Sequence, residues 1–198
     1  MLTKTQLKIL KLFASQIGER LSIKQVSEEL EKPYPLIHRS IQGLLDQGFL
    51  VKDKQNYLSL DHRMNHFALC YAEGLRKRDF LESNRTVGLF VNDILERLST
   101  DFFILLFFGS VVGNAKRPRD VDVLVIIEDE GSVGPLEKTM YNIADAFSVP
   151  FDITVLPVTS MIEMLKNRDE LNVMNESLTN HVIVFGAENY YRVLSHAR

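Results

Sequence analysis

Two aspartates, Asp120 and Asp122, stand at the head of the oily run VLVII, and a Gly-Ser pair, Gly109-Ser110, closes the oily run FFILLFF just before them. Residues two apart on a strand point to one face, so Asp120 and Asp122 present their carboxylates side by side. Two unpaired carboxylates on a sheet face repel, and burying them is costly. A hard divalent cation removes that cost, and Mg²⁺ is typically held by one or two carboxylates together with substrate phosphates. Asp152, in FDITVL, offers a third acid just after another strand begins, on the face it shares with Thr154 and opposite Phe151 and Ile153. A glycine lets backbone approach a phosphate closely, and the N–H groups and hydroxyl that follow it can hold one. Gly109 and Ser110 therefore read as a phosphate holder, Asp120 and Asp122 as a metal pair, and Asp152 as a third acid. In-line nucleotidyl transfer calls for this set, with two metal ions acting on the attacking and leaving oxygens and the protein positioning and neutralising. The intervening Lys116, Arg117 and Arg119 either contact a triphosphate or nucleic-acid acceptor, or form a basic surface loop beside the two aspartates.

The surrounding pattern is expected to supply a scaffold in which strands and helices alternate from residue 102 onward. FFILLFF and DVDVLVII are continuously apolar, as buried strands are. PLEKTMYNIADAF carries Leu136, Met140, Ile143, Ala144 and Phe147 at helical spacing, and PFDITVL is a third strand. Ser160 with Glu163 is expected to cap a helix running through the 160s and 170s, and HVIVF, ended by Gly186, is a last strand. The result is an α/β (α+β) layer with a small mixed sheet flanked by helices. Residues 61–84 read as a helical linker. Met64, Phe67, Ala68, Tyr71 and Leu75 form its inward face, and a break is expected in RKRDFLESN. His62 and His66 are expected on a solvent-facing helix edge, since no third metal ligand accompanies them, and His181 is expected to be structural or exposed.

The first sixty residues have another character. Thr3 with Gln6 and Ser22 with Gln25 are capping-box pairs opening two helices. Pro35 suits the first turn of a third helix, about 35–47, that ends at Gly48. FLVKDKQNYLSL then reads as two short strands around the polar turn Asp53–Asn56. These residues hold nine Lys/Arg against six Asp/Glu, whereas the whole chain has a net charge of -3. A mildly basic unit on an acidic body is compatible with nucleic-acid binding. Its candidate contacts are Tyr34, His38, Arg39 and Gln42 on the third helix and Lys52 and Lys54 in the turn region, which in such a unit meet the major groove and phosphates. A protein-interaction or dimerisation role for the same unit stays open.

Two resemblances follow from these residues. LSIKQVSEELEKPYPLIHRSIQGLLDQGFLVKDKQNYLSL resembles a winged helix-turn-helix domain, placed at 1–60. FGSVVGNAKRPRDVDVLV resembles the signature of the DNA polymerase beta-type nucleotidyltransferase superfamily, most of all its minimal nucleotidyltransferases, a group that includes antitoxins of toxin–antitoxin pairs. That domain is placed at 85–198. The second resemblance implies that Gly109 and Ser110 hold the triphosphate of an NTP, with ATP the expected one. It also implies that Asp120 and Asp122 bind both metal ions, Mg²⁺ or Mn²⁺ in its place, and that Asp152 binds the catalytic metal and helps deprotonate the acceptor hydroxyl. The chain departs from that family in three places, one being a loop at the short end of the family's range. Arg119 stands where a serine usually precedes the first aspartate, and Val111, Val112 and Gly113 follow Ser110 with no basic residue among them.

Composition limits the remaining classes. With 45% hydrophobic and 25% charged residues the chain is ordinary for a globular protein. Its longest apolar runs are far below the roughly 20 residues a membrane crossing needs, and its start, MLTKTQLKILKLF, is amphipathic rather than signal-like. The lone Cys70 cannot make an internal disulfide, which fits a reducing cytoplasm. The sequence thus leads to a Mg-dependent nucleotidyltransferase coupled to a DNA-binding winged helix. Its alternative is a DNA-binding regulator or antitoxin-like protein whose second domain binds nucleotide or a partner protein such as a toxin without turnover. A homodimer is compatible with either.

Overall fold

The computed structural model describes residues 2–63, 66–98, 102–113, 119–167 and 169–196. The fold is mixed α+β. Helices α1 (Lys4–Ser15), α2 (Ile23–Glu29) and α3 (Tyr34–Asp46) lead into strands β1 (Leu50–Lys52) and β2 (Leu58–Leu60). Both expected capping boxes form, Thr3 with Gln6 and Ser22 with Gln25. They satisfy N–H groups that would otherwise be orphaned at the helix starts. β1 and β2 pair antiparallel, and Leu21 adds a single bridge to Leu58. The Asp53 carboxylate accepts N–H bonds from Gln55 and Tyr57, and Asn56 takes φ 70°, which shapes the turn between the strands.

Helix α4 (His66–Ser83) is continuous through RKRDFLES, where the sequence suggested a break. α5 (Arg85–Arg97) follows after Asn84. Strands β3 (Phe103–Phe108), β4 (Val121–Ile127), β5 (Phe151–Pro157) and β6 (His181–Phe185) make a four-stranded sheet in the order β5-β4-β3-β6. β3 pairs antiparallel with β4 and β6, and β4 runs parallel to β5, so the sheet is mixed. All six residues of β3 are buried, because it is a central strand covered on both faces. One face packs against α5 and α6 (Val133–Ala144) through Phe90, Val91, Ile94, Met140 and Ile143. The other carries Ile104, Leu106, Leu124 and Ile126. It joins α7 (Val158–Lys166), α8 (Val173–Thr179) and α9 (Ala187–His196) in an apolar cluster that continues without interruption to Ile9, Phe13 and Ile41 of the N-terminal unit.

Two expectations about helices are corrected. The helix of the 160s and 170s is two helices. α7 starts directly after β5 and ends at Lys166, and the Asn172 side chain caps α8 by accepting from Asn175 N–H at 2.8 Å. The buried face of α4 is Leu69, Ala72, Glu73, Arg76 and Phe80, while Phe67 and Tyr71 are exposed. The reason lies in what α4 covers, the edge strand β6. Arg76 Nη1 donates to both Glu73 carboxylate oxygens at 2.8 and 2.7 Å, Arg76 Nη2 donates to the His181 carbonyl, and Tyr191 O–H donates to Glu73 at 2.7 Å. Burial pushes the Glu73 carboxyl above the usual carboxylate range despite the Arg76 charge. His62 is buried rather than solvent-facing, and His181 is buried at the start of β6, the structural one of its two expected places. Burial, and then the Arg76 charge, push His181 down to about 3, so its ring is neutral at physiological pH.

Removing one member of a buried pair strands the other, at a cost of about 3–5 kcal/mol. Arg76→Ala should therefore lower unfolding stability by that amount in urea titrations. A double replacement, Glu73→Leu with Arg76→Met, should cost less than Arg76→Ala alone. If the double variant were the weaker of the two, the buried charges would not be the cause.

Candidate functional site

The strand register assembles the site. Phe108 lies opposite Asp122 across β3 and β4, Asp122 lies opposite Asp152 across β4 and β5, and Phe108 lies opposite His181 on its other side. One row therefore runs His181, Phe108, Asp122, Asp152 across the sheet. Val121 and Val123 belong to the apolar cluster on the far face, as do Phe151 and Ile153. Alternation then turns Asp122, Asp152 and Thr154 to the face bearing α8. Because β4 and β5 are parallel, both acids stand at strand starts, at the end of the sheet where β3 finishes.

There β3 passes into a single 3-10 turn, Gly109–Val111. Gly109 has φ +64°, in the left-handed region, and a Cβ at that position would collide with the Asp122 carboxylate. Glycine is required twice over, for the backbone angle and for the close approach. The Ser110 backbone N–H donates to Asp122. Even so, the Asp122 carboxyl is held above its usual range, first by burial and then by the charges of Asp120, Asp152 and Glu176. Asp120 and Arg119 are exposed immediately before β4, and Asp152 is exposed on β5. Lys116 and Arg117 lie outside the described residues.

A cavity of ≈ 840 Å³ opens over this row. Asp122, Asp152 and Thr154 line its sheet side, and Asp169, Glu170 and Glu176 line the side of α8 and the loop before it. Among the described residues lining it there is no lysine or arginine. Sequence reasoning missed all three of these last acids, and Glu176 is the one whose charge acts on Asp122. Its signal was the Asn172-to-Asn175 spacing, which marks a new helix start and turns Glu176 toward Asp122. Among the described residues no three His, Cys, Asp or Glu side chains are gathered closely enough to hold a metal ion unaided. The donors present suit a hard cation shared with a substrate, since Mg²⁺ commonly takes only one or two carboxylates and completes its shell with phosphate oxygens and water. Cys70 is half-buried, and burial and then Glu188 and Glu73 raise its thiol above the usual range, a poor setting for a nucleophile.

The N-terminal candidates share a second surface. Ile37, Ser40, Ile41 and Leu44 of α3 are buried, which leaves Tyr34, His38, Arg39 and Gln42 exposed along its outer side. The Tyr34 and His38 rings lie 6.0 Å apart, and Gln42 Nε2 donates to Asp46 at 3.1 Å. Lys52 and Lys54 are exposed at the β1–β2 end. No described helix is long and apolar enough to cross a membrane.

Comparison with protein-family models finds no match, and comparison with curated proteins finds none either. Among solved structures, the crystal structure of Pseudomonas aeruginosa HmgR is similar to this chain at 24% identity with a TM-score of 0.29. The match covers 61% of this chain and 45% of that one. The chain thus spans less than half of that protein, and a superposition of that quality does not establish a common architecture.

The raised pKa of Asp122 fixes the sign of one prediction. Its ionised form is disfavoured by folding, so the charge costs stability at every pH above the raised value. Asp122→Asn keeps an acceptor for the Ser110 N–H and removes the charge. In the absence of metal its melting temperature should exceed that of the wild type at neutral pH. Added Mg²⁺ should raise the wild-type melting temperature and leave the variant unmoved. Equal responses to Mg²⁺ would mean that Asp122 holds no cation.

Proposed function

We propose that the chain is a DNA-binding protein of the winged-helix kind, acting in the cytoplasm, whose second unit carries a nucleotidyltransferase-type site for an NTP with Mg²⁺. The observation that supports the first half is the outer side of α3, where Tyr34, His38, Arg39 and Gln42 stand exposed together, with Lys52 and Lys54 exposed on the wing. A helix presented this way suits a major groove, and the flanking lysines suit phosphates. The second half rests on Gly109, Ser110, Asp122 and Asp152 meeting at one end of the sheet. Asp122, with Asp120 and Asp152, would hold Mg²⁺, and the exposed Ser110 hydroxyl beside Gly109 would hold a phosphate oxygen. The bound ion would neutralise the triphosphate, which the acidic cavity cannot do by itself.

Binding of labelled duplex should fall with salt, at a slope of about −0.9 per phosphate contact on a logarithmic plot. Arg39→Ala should cost about 1–3 kcal/mol of affinity if it reads a base, and losing Lys52 or Lys54 should each reduce the salt slope by about one. Affinity indifferent to both salt and Arg39 would overturn the DNA reading.

Turnover is a second reading, favoured by Asp152 facing Asp122 in register with its carboxylate exposed to the cavity. In that reading the hydroxyl of an acceptor attacks the α-phosphorus of the NTP, the α–β phosphoanhydride breaks, pyrophosphate leaves, and Asp152 would take the hydroxyl proton. The acidic lining of Asp169, Glu170 and Glu176 would repel a polyanionic acceptor, which favours a protein or small molecule, a toxin-like partner among them. Incubation with labelled ATP, alone and with candidate partners, should label an acceptor with the wild type and not with an Asp120→Ala/Asp122→Ala variant. Equal labelling by both would exclude catalysis at these acids.

A further inference from the structure

Asp122 and Asp152 stand on the sheet side of the acidic cavity, and Asp169, Glu170 and Glu176 stand opposite, exposed on α8 and the loop before it. None of these carboxylates forms an ion pair with a described residue. Metal ions account for only part of the charge, because the positive charge that Mg²⁺ brings with an NTP is spent on the triphosphate. The wall opposite the sheet is not a further metal site either, since among the described residues no three His, Cys, Asp or Glu side chains are gathered closely enough to hold an ion unaided. Acids spread along a wall suit a cation that is spread out as well. The same wall carries a buried acceptor without a donor. Asn175 Nδ2 donates to the carbonyls of Asn167 and Glu170, each at 2.8 Å, which pins the acidic loop against α8. Its Oδ1 is buried with no hydrogen-bond partner among the described residues. An unmet acceptor beside unpaired carboxylates suits a ligand rich in N–H donors.

We infer that the wall of Asp169, Glu170 and Glu176 is the acceptor side of this cavity and selects a cationic acceptor, a hydroxyl carried between ammonium or guanidinium groups. The inference rests on the turnover reading above and names its substrate class. The ammonium groups lie along the acidic wall, and the hydroxyl between them turns toward Asp152 on the sheet side. Its oxygen attacks the α-phosphorus of the NTP, the α–β phosphoanhydride breaks, pyrophosphate leaves, and Asp152 takes the proton. The ammonium groups form no bond in this step. They position the hydroxyl, and their charge offsets carboxylates that otherwise repel the triphosphate. A neutral polyol of the same size lacks that hold, and a nucleic-acid hydroxyl arrives with phosphates that the wall repels. A small amino alcohol and a hydroxyl side chain between basic residues of a protein share this chemistry.

Binding and transfer test it separately, both with the full-length protein. Spermidine is the binding probe, followed by calorimetry without metal. The wild type should bind it with an affinity that falls as salt rises, and Glu170→Gln with Glu176→Gln should weaken binding about tenfold. Glu96→Gln with Glu130→Gln, exposed acids at the other end of the sheet, should leave it unchanged. For transfer, labelled ATP with Mg²⁺ is offered diaminopropanol or glycerol, which share a carbon skeleton and differ in their ammonium groups. A second pair is a serine peptide flanked by lysines or by alanines. The ammonium-bearing member should be labelled preferentially, in the small pair for a free acceptor and in the peptide pair for a protein one. Binding of a non-hydrolysable ATP analogue with Mg²⁺, measured on the same samples, reports on the nucleotide reading alone. Analogue binding without spermidine binding, spermidine binding untouched by the Glu170→Gln/Glu176→Gln variant, or equal labelling within both pairs would overturn the inference and leave the nucleotide site standing. Spermidine binding without analogue binding would instead overturn the nucleotide reading, and the acceptor assignment with it.

Discussion

A guanidinium and a carboxylate enclosed together hold this molecule in register. Each alone would be costly to bury, and the pair is tolerated only because nearly every donor and acceptor is used. Arg76 holds Glu73 through Nη1 and the His181 carbonyl through Nη2, and Tyr191 closes over Glu73. These contacts tie α4 and α9 to the first residue of β6, the edge strand. They leave no ambiguity about which residue of β6 faces Phe108, and the row from His181 to Asp152 follows from that pairing. Apolar packing alone specifies a strand register only to within a slip of two residues, since a slip of two returns the same face to the core. A hydrogen-bonded charge at the strand start removes that freedom.

What is fixed at one end of the row is used at the other. β4 would be more stable with an apolar residue at 122, for its neighbours along the strand are Val121, Val123, Leu124 and Val125. Instead it keeps an acid there, raised by burial and by three other acids, and places against it a glycine in the left-handed region. Local preference is broken at two positions that touch each other, and the N–H bond from Ser110 is the relief that the described residues supply. Such concentrated disagreement with the rest of a well-packed sheet is what a functional site looks like.

Much of this was legible in the residues. The two capping boxes, the Gly48 and Gly186 stops and the four apolar strands are short-range signals, and each appears where its chemistry placed it. The acids 122 and 152 were legible for the same reason, as polar interruptions of a period-two pattern. The face of α4 was not. Met64, Phe67, Ala68, Tyr71 and Leu75 have the better apolar spacing, and only a tertiary partner, the carbonyl of His181 105 residues away from Arg76 in the chain, decides that the charged side goes inward. Glu176 was hidden in the same way. Its relation to Asp122 depends on α7 stopping at Lys166 and a new helix starting at Asn172, and a single long helix would have carried the residue elsewhere.

That short helix also relates the two units. Asn175 and Thr179 of α8 line the acidic cavity, and both line a second cleft of ≈ 700 Å³ whose opposite wall is Ile17, Gly18, Glu19 and Arg20 between α1 and α2, with Leu60 of β2. Leu178 approaches Gly18 closely enough that a Cβ there would touch it at 3.9 Å. The same seven-residue helix therefore borders both the acidic cavity and the cleft beside the α1–α2 turn.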